Sequence, residues 1–275
     1  MKKGLFALAL MSALVAQAED TEGSVLSTNT FGVLRVSSSY TNTIIAVPWT
    51  DYSADSNPDP IMATNMVRVA NLKEGDTMLV YSGGQYNAWK VVVTTSGVKE
   101  WVPEKMWSST KPFGPSDSSK LTDAQNQVVR GKAFWLHRDG VSAREDKDIF
   151  LYGQMATGDV NVSVGAGSTL IANPFPEELS LNGGKFSLIS GDIYRDSGNY
   201  TNGDAIVIPN DSDAPKMAYY DGEKWYINGK SQYDPSTHKI TAQKITDIKI
   251  PGGTGFWYVR RGVGNIEFKF SKSGN

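Results

Sequence analysis

The chain has 275 residues, no cysteine, and 27 lysines and arginines against 29 aspartates and glutamates, for a formal net charge of −2. Without cysteine the fold is not held by disulfides, so its stability has to come from buried apolar surface. A mildly acidic chain is also a poor match for nucleic acid, which is recognised by clustered lysines and arginines.

The first eighteen residues predict a secretory signal peptide. Lys2 and Lys3 precede an apolar run, Leu5–Val15, which is followed by the small-x-small cleavage motif Ala16-Gln17-Ala18. The apolar run is too short to cross a bilayer core of ~30 Å as a helix. We therefore expect an exported protein that starts at Glu19 after cleavage, has no membrane-spanning segment, and resides in the periplasm, at the outer surface or outside the cell.

Short β-strands are predicted through the first half of the remaining chain. Val33–Val36 alternates apolar with polar residues, which is the period-two pattern of a half-buried strand. Leu79–Tyr81 and Trp89–Val93 flank the turn Ser82-Gly83-Gly84 and predict a hairpin. Helical periodicity over ten or more residues is absent from the sequence.

The second half repeats the first in order. Phe31–Trp49 aligns without a gap with Thr157–Phe175 at an offset of 126. Two further pairs of blocks keep the order at offsets of 128 and 122, and they are Gly75–Val80 with Gly203–Ile208 and Gly131–Trp135 with Gly253–Trp257. The second half also contains its own hairpin signal, Asp221-Gly222 between two aromatic strands.

Together these patterns predict an all-β protein of two tandem β-sandwich-like (or partly open barrel) repeat units packed together. The expected first unit is 19–140 and the expected second unit is 141–275. The boundary is placed at Asp139-Gly140, because Ser142–Asp148 is a charged connection with no apolar periodicity.

Segments of the second half resemble the β-rich modules of secreted bacterial surface proteins that read L-I-G-N-P-Y-P, A-I-Y-V-W and P-G-Q-G-F-F-V. The segments are Thr169–Pro176, Gly203–Val207, Gly222–Tyr226 and Ile250–Val259. The chain is also similar to small two-unit exported proteins of verrucomicrobial bacteria. In the first unit Val47 stands in place of the asparagine, and Ala133 in place of the second glycine. The resemblance implies a β fold and an exported location, and it implies no catalytic residues.

No catalytic motif is present. The chain lacks a Gly-x-Ser-x-Gly nucleophile elbow and a His-Glu-x-x-His zinc motif, and its two histidines, His137 and His238, are not joined to a serine by any signature. We therefore expect no catalytic residues and no enzyme activity. A glycoside hydrolase that uses aspartate and glutamate is the competing interpretation, and it requires two carboxylates about 5 to 9 Å apart.

One loop predicts a calcium site. Asp55, Asn57 and Asp59 place oxygen ligands at alternate positions, as calcium loops do. The central glycine and the final glutamate of an EF-hand are missing, so a polar surface loop is the alternative. Calcium is the one cofactor that the sequence offers.

The seven tryptophans divide into two groups. Three aromatic pairs recur at places that the repeat makes equivalent and are expected to pack in the core or between strands; they are Trp135 with Trp257, Trp89 with Trp225, and Trp49 with Phe175. Trp101 and Trp107 have no such counterpart and lie in a segment rich in serine, lysine and proline. They are the predicted ligand-binding aromatic residues.

The expected function is that of an exported, non-catalytic surface, envelope or matrix protein that contacts glycan or another protein. The alternatives are a carbohydrate-active enzyme of the glycoside hydrolase type and a purely structural envelope component.

Overall fold

The chain folds into short antiparallel strands. The computed structural model describes residues 31–37, 41–50, 61–82, 85–104, 126–140, 148–155, 158–196, 199–209, 214–236 and 238–272. The strands up to residue 155 are β1 (Phe31–Ser37), β2 (Asn42–Ala46), β3 (Ile61–Met62), β4 (Thr77–Ser82), β5 (Gln85–Val93), β6 (Lys99–Glu104), β7 (Gln127–Val128), β8 (Ala133–His137) and β9 (Asp148–Gln154).

The later strands are β10 (Val160–Val164), β11 (Gly167–Ala172), β12 (Leu179–Ser180), β13 (Phe186–Ser190), β14 (Ala205–Ile208), β15 (Lys216–Tyr220), β16 (Trp225–Asp234), β17 (Lys239–Ile245), β18 (Lys249–Ile250), β19 (Gly255–Arg260) and β20 (Ile266–Phe270). The described helices are α1 (Ala63–Met66) and two 3₁₀ turns, Val69–Asn71 and Tyr200–Asn202. The predicted all-β class is confirmed.

Two large open sheets dominate the fold. The first sheet has the strand order β2-β8-β4-β5-β6, and the second sheet has the order β11-β19-β14-β15-β16-β17. Smaller sheets accompany them, with the orders β1-β9, β3-β7, β12-β18 and β10-β20-β13. Up to β16, the second sheet connects its strands in the same order along the chain as the first sheet does.

Each large sheet covers its own hydrophobic core. The first core takes buried side chains from β1 to β5, α1 and β7 to β9, while the second takes them from β10 to β16 and from β18 to β20. Alternation along a strand sets which side chains enter: in β10, Val160, Val162 and Val164 are buried while Asn161 and Ser163 are exposed. Strand β9 contributes Ile149 and Leu151 to the first core, although the predicted boundary at residue 140 assigns it to the second unit.

A reciprocal pair of backbone hydrogen bonds joins the two large sheets. Ala46 N donates to Gly253 O at 2.9 Å, and Ala172 N donates to Gly131 O at 3.0 Å. Gly131 and Gly253 have φ values of +81° and +75°, which favour glycine. A Cβ at Gly253 would stand 2.5 Å from Val36 Cγ2, so both the backbone conformation and the close packing require a glycine there.

The longest described helix has four residues, and none of the described helices has the length or apolar character needed to cross a membrane. The predicted signal peptide, residues 1–18, lies outside the described residues.

Candidate functional site

A cleft of about 900 Å³ draws its lining from both large sheets. Strands β1, β2 and β8 contribute residues on the side of the first sheet, and the segments from β14 to β19 contribute the rest. Pockets that bind small molecules typically measure about 300–1,000 Å³. The cleft is therefore the candidate functional site.

Two tryptophans from corresponding strands meet in this cleft. Trp135 of β8 and Trp257 of β19 are half-buried, and their ring centroids lie 6.3 Å apart with an interplanar angle of 44°. Their strand neighbours Phe134 and Phe256 point into the two cores. Because side chains alternate along a strand, both tryptophans lie on the outer faces of their sheets.

Cross-strand neighbours hold the two rings. Trp135 pairs with Ile44 of β2 and with Leu79 of β4, and Trp257 pairs with Leu170 of β11 and with Val207 of β14. These side chains are apolar, so each ring rests between two aliphatic neighbours of its own sheet. The sequence predicted that both tryptophans pack in the core or between strands; they pack between strands and also line the cleft, outside both cores.

Uncharged polar side chains surround the tryptophan pair. Asn42 and Asn228 are exposed, and Thr43 and Thr254 are half-buried. The Asn42 Oδ1 lies 2.8 Å from His137 Nδ1, a hydrogen bond that fixes the amide at the margin of the cleft. Amide and hydroxyl groups of this kind both donate and accept hydrogen bonds.

The charges of the cleft are largely compensated. Arg35 Nη2 lies 2.5 Å from Asp148 Oδ2, and Lys249 Nζ lies 3.1 Å from Glu178 Oε1. The hydrogen bond to Glu178, and then the negative charges of Glu178 and Asp247, raise the pKa of Lys249. Lys216 and Asp247 add one charge of each sign to the lining. The site therefore suits an uncharged polar ligand better than a polyanion or a polycation.

A buried ion pair anchors the strand that carries Trp257. Arg260 Nη1 lies 2.5 Å from Asp204 Oδ2, with both side chains almost fully buried. Asp204 also accepts hydrogen bonds from Tyr258 Oη at 3.0 Å and from the backbone N–H of Arg261 at 2.7 Å. Burial raises the pKa of Tyr258, so its hydroxyl stays a proton donor to Asp204.

The strand that carries Trp135 has a corresponding pair. Arg138 Nε lies 3.8 Å from Asp76 Oδ2, and both side chains are buried. Each ion pair joins the aspartate that precedes a central strand, β4 or β14, to the end of the neighbouring strand that carries the tryptophan. The pair thereby fixes the position of that strand and of its tryptophan. Neither pair was predicted from the sequence, although it contains a signal for both: an aspartate after glycine and an arginine three residues after tryptophan recur in the matched blocks.

The predicted ligand-binding tryptophans lie elsewhere or outside the described residues. Trp101 of β6 is half-buried against the first core, and its Nε1 donates to Val67 O at 2.8 Å. It does not line the cleft. Trp107 lies outside the described residues. A binding role for these two residues stays a prediction.

The predicted calcium ligands Asp55, Asn57 and Asp59 also lie outside the described residues, and the calcium site stays a prediction. Within the described ranges, no three His, Cys, Asp or Glu side chains group as a metal site. His137 contacts Asn42 and has its Nε2 3.2 Å from Asp139 Oδ1, while His238 is exposed on a turn with φ of 52°.

Comparison of the chain with protein-family models, with curated proteins and with solved structures found no match.

Proposed function

We propose that the protein is an exported, non-catalytic envelope or surface protein that binds an uncharged glycan in the cleft between the two large sheets. The observation that carries this proposal is the pair of half-buried tryptophans, Trp135 and Trp257, 6.3 Å apart in a cleft of about 900 Å³.

The chemistry of a sugar ring matches this lining. A saccharide has apolar C–H faces, which pack on aromatic rings, and hydroxyl edges, which need donors and acceptors. Trp135 and Trp257 offer the first, and Asn42, Asn228 and Thr254 offer the second. The compensated charges around Arg35 and Lys249 leave no strong preference for a charged ligand.

The proposal includes a duplication of one β unit, which would give the two tryptophans a shared role. The smaller sheets pair residues in the same way in the two halves. Leu34 and Val36 pair with Leu151 and Ile149, and their aligned residues Val160 and Val162 pair with Phe270 and Phe268. Under this proposal β9 closes the first unit as β20 closes the second, and the units divide after Gln154. Trp135 and Trp257 then occupy the same position of each unit.

The test is a binding screen on the chain from Glu19 against neutral, acidic and mucin-type glycans, with and without calcium. We expect binding to at least one neutral glycan. Trp135→Leu and Trp257→Leu keep apolar volume and should each weaken that binding about tenfold or more, since each removes one stacking surface. Thermal unfolding of each variant checks that the fold is kept.

Trp101→Ala and Trp107→Ala complete the panel. Loss of binding in these variants, with wild-type affinity in Trp135→Leu and Trp257→Leu, would move the site to the segment around β6. Failure of every glycan to bind would reject the proposal and favour a structural envelope component, which self-association of the chain would then support.

A carbohydrate-active enzyme is the second candidate that the screen addresses. Asp247 is the one carboxylate among the described residues that line the cleft, while hydrolysis by the usual mechanisms takes two. Incubation of the bound glycan with the protein, followed by measurement of new reducing ends, separates the two functions. Release of sugar that is lost in Asp247→Asn would establish hydrolysis.

A further inference from the structure

An exposed pair of tyrosines stands at the end of the β4–β5 hairpin. Tyr81 and Tyr86 face each other across the two strands, with ring centroids 5.1 Å apart in an edge-to-face arrangement. Their exposed fractions are 61% and 39%. Two adjoining aromatic rings left open to solvent are a typical feature of a binding surface.

The strand register places this pair beside the cleft tryptophans. Leu79 of β4 pairs with Ala88 of β5 on one side and with Trp135 of β8 on the other. Tyr81 is two residues from Leu79, so both lie on the face that carries Trp135, while Met78 and Val80 enter the first core. Tyr81 is therefore the diagonal cross-strand neighbour of Trp135, at a Cα distance of about 7 to 8 Å.

The side chain between the two aromatic pairs is uncharged. Leu79, which is half-buried, lies next but one to Tyr81 on β4 and directly opposite Trp135 of β8. Tyr86, Tyr81 and Trp135 thus follow one another on the outer face of the first sheet, and Trp257 of the second sheet meets Trp135 in the cleft. The ring centroids lie 5.1 Å apart in the tyrosine pair and 6.3 Å apart in the tryptophan pair. We call these four residues the aromatic track.

We propose that the tyrosine pair is a second sugar-binding subsite, and that the ligand is a linear polysaccharide lying along the aromatic track. This inference rests on the proposed glycan binding at the tryptophan pair and adds the class of glycan. A short saccharide is held by the cleft alone, whereas the further sugar rings of a longer polysaccharide reach Tyr81 and Tyr86. Stacking on aromatic rings tolerates different sugars, because each ring offers an apolar face.

Chain length is the variable that tests the inference. The probes are cello-, xylo- and chito-oligosaccharides of two to six sugars, with hydroxyethyl cellulose, xylan and glycol chitin as polymers, and the measurement is isothermal titration calorimetry on the full chain. We expect affinity per chain to rise with length in one series. The double variant Tyr81→Ala/Tyr86→Ala should bind the polymer about fivefold more weakly and the disaccharide as tightly as the wild type does.

Tyr194→Ala is the matched control, because Tyr194 is 43% exposed, lies in the second half of the chain and does not line the cleft. It should leave polymer affinity unchanged. Equal affinity for short and long probes, or polymer affinity unchanged in the tyrosine double variant, would overturn the extended site while leaving the cleft intact.

Binding that persists in Trp135→Leu and Trp257→Leu but is lost in the tyrosine variant would reject the proposed cleft site and the aromatic track together. Binding of a protein ligand, together with no binding of any glycan, would likewise reject both. Retained unfolding temperature in each variant ensures that a lost affinity reports on the surface and not on the fold.

Discussion

Trp49 shows how single glycines determine packing in the first core. Its side chain is buried, and it packs on Gly32 and Gly153, which face each other across β1 and β9. A methyl group on Gly32 would overlap the Trp49 ring, because the added Cβ would stand 2.6 Å from Cζ3. We expect Gly32→Ala to lower the free energy of unfolding by about 1–3 kcal/mol through overpacking.

Urea denaturation measures this effect, and Gly165→Ala is its control. The atom nearest to an added Cβ at Gly165 is Asn265 Oδ1 at 3.3 Å, the end of a flexible side chain. The control should unfold close to the wild-type midpoint. Equal midpoints for the two variants would show that the Trp49 ring moves aside at little cost.

The buried pair of Asp204 and Arg260 is a second determinant at the residue scale. Asp204→Asn removes the negative charge and leaves Arg260 buried without its counter-ion, which costs about 3–5 kcal/mol of unfolding free energy. Asp247→Asn changes an exposed carboxylate and should cost less than about 0.5 kcal/mol. Chemical denaturation at neutral pH measures both. A cost near that of the control would mean that the remaining hydrogen bonds of Arg260, to Asp192 O, Val263 O and Gly264 O, are enough to hold it.

At the scale of elements, the β15–β16 hairpin makes a pH-dependent contribution to stability. Asp221 Oδ1 accepts the backbone N–H groups of Glu223 and Lys224, and Oδ2 accepts Lys244 Nζ of β17 at 2.7 Å. Burial raises the pKa of Asp221, but the Lys244 and backbone hydrogen bonds outweigh it and lower the pKa to about 2. The pKa of an aspartate in an unfolded chain is about 3.9.

Because the folded pKa is the lower one, the stabilisation is complete above about pH 4 and is lost as the pH falls toward 2. We expect the difference in unfolding free energy between wild type and Asp221→Asn to shrink across this window and to stay constant between pH 5 and 7. Urea denaturation at a series of pH values measures it. A difference that does not change below pH 4 would contradict the assignment of the pH dependence to Asp221.

Local patterns predicted the elements better than their arrangement. The alternation at Val160–Val164 and the Asp221-Gly222 turn gave a strand and a hairpin, since both depend on neighbouring residues. Pairing of β8 with β2 and β4 joins segments far apart in the chain, which no local spacing specifies.

The tryptophans illustrate the difference between spacing and register. The sequence predicts that Trp89 corresponds to Trp225, because each lies on the strand that follows a hairpin turn. In the sheets, however, Trp101 of β6 pairs with Val91 of β5, and Trp225 of β16 pairs with Tyr220 of β15. Strand β6 lies two strands from β4, as β16 lies two strands from β14, whereas Trp89 lies on β5, next to β4. Trp101, not Trp89, therefore occupies the position of Trp225. Neither sheet order nor the meeting of Trp135 with Trp257 was visible without the long-range pairing.

At the scale of the whole molecule, two glycine turns pack across the boundary between the two cores. Gly253, in the turn before β19, packs on Val36 and Leu34 of β1, and Gly131, in the turn before β8, packs on Val160 and Val162 of β10. Each turn belongs to one half of the chain and rests on the other half. Residues Phe31–Asn275 form one compact unit.

This exchange of turns predicts one cooperative unfolding transition instead of two. Disruption of either core removes the surface on which a turn of the other half rests, so the halves should lose structure together. Differential scanning calorimetry should give a calorimetric enthalpy equal to the van't Hoff enthalpy. Leu151→Ala in the first core and Phe268→Ala in the second should each lower the midpoint of that single transition, because truncation of such buried side chains costs about 2–5 kcal/mol. Two resolved transitions, with each substitution moving only one of them, would mean that the glycine turns join the halves too weakly to couple them.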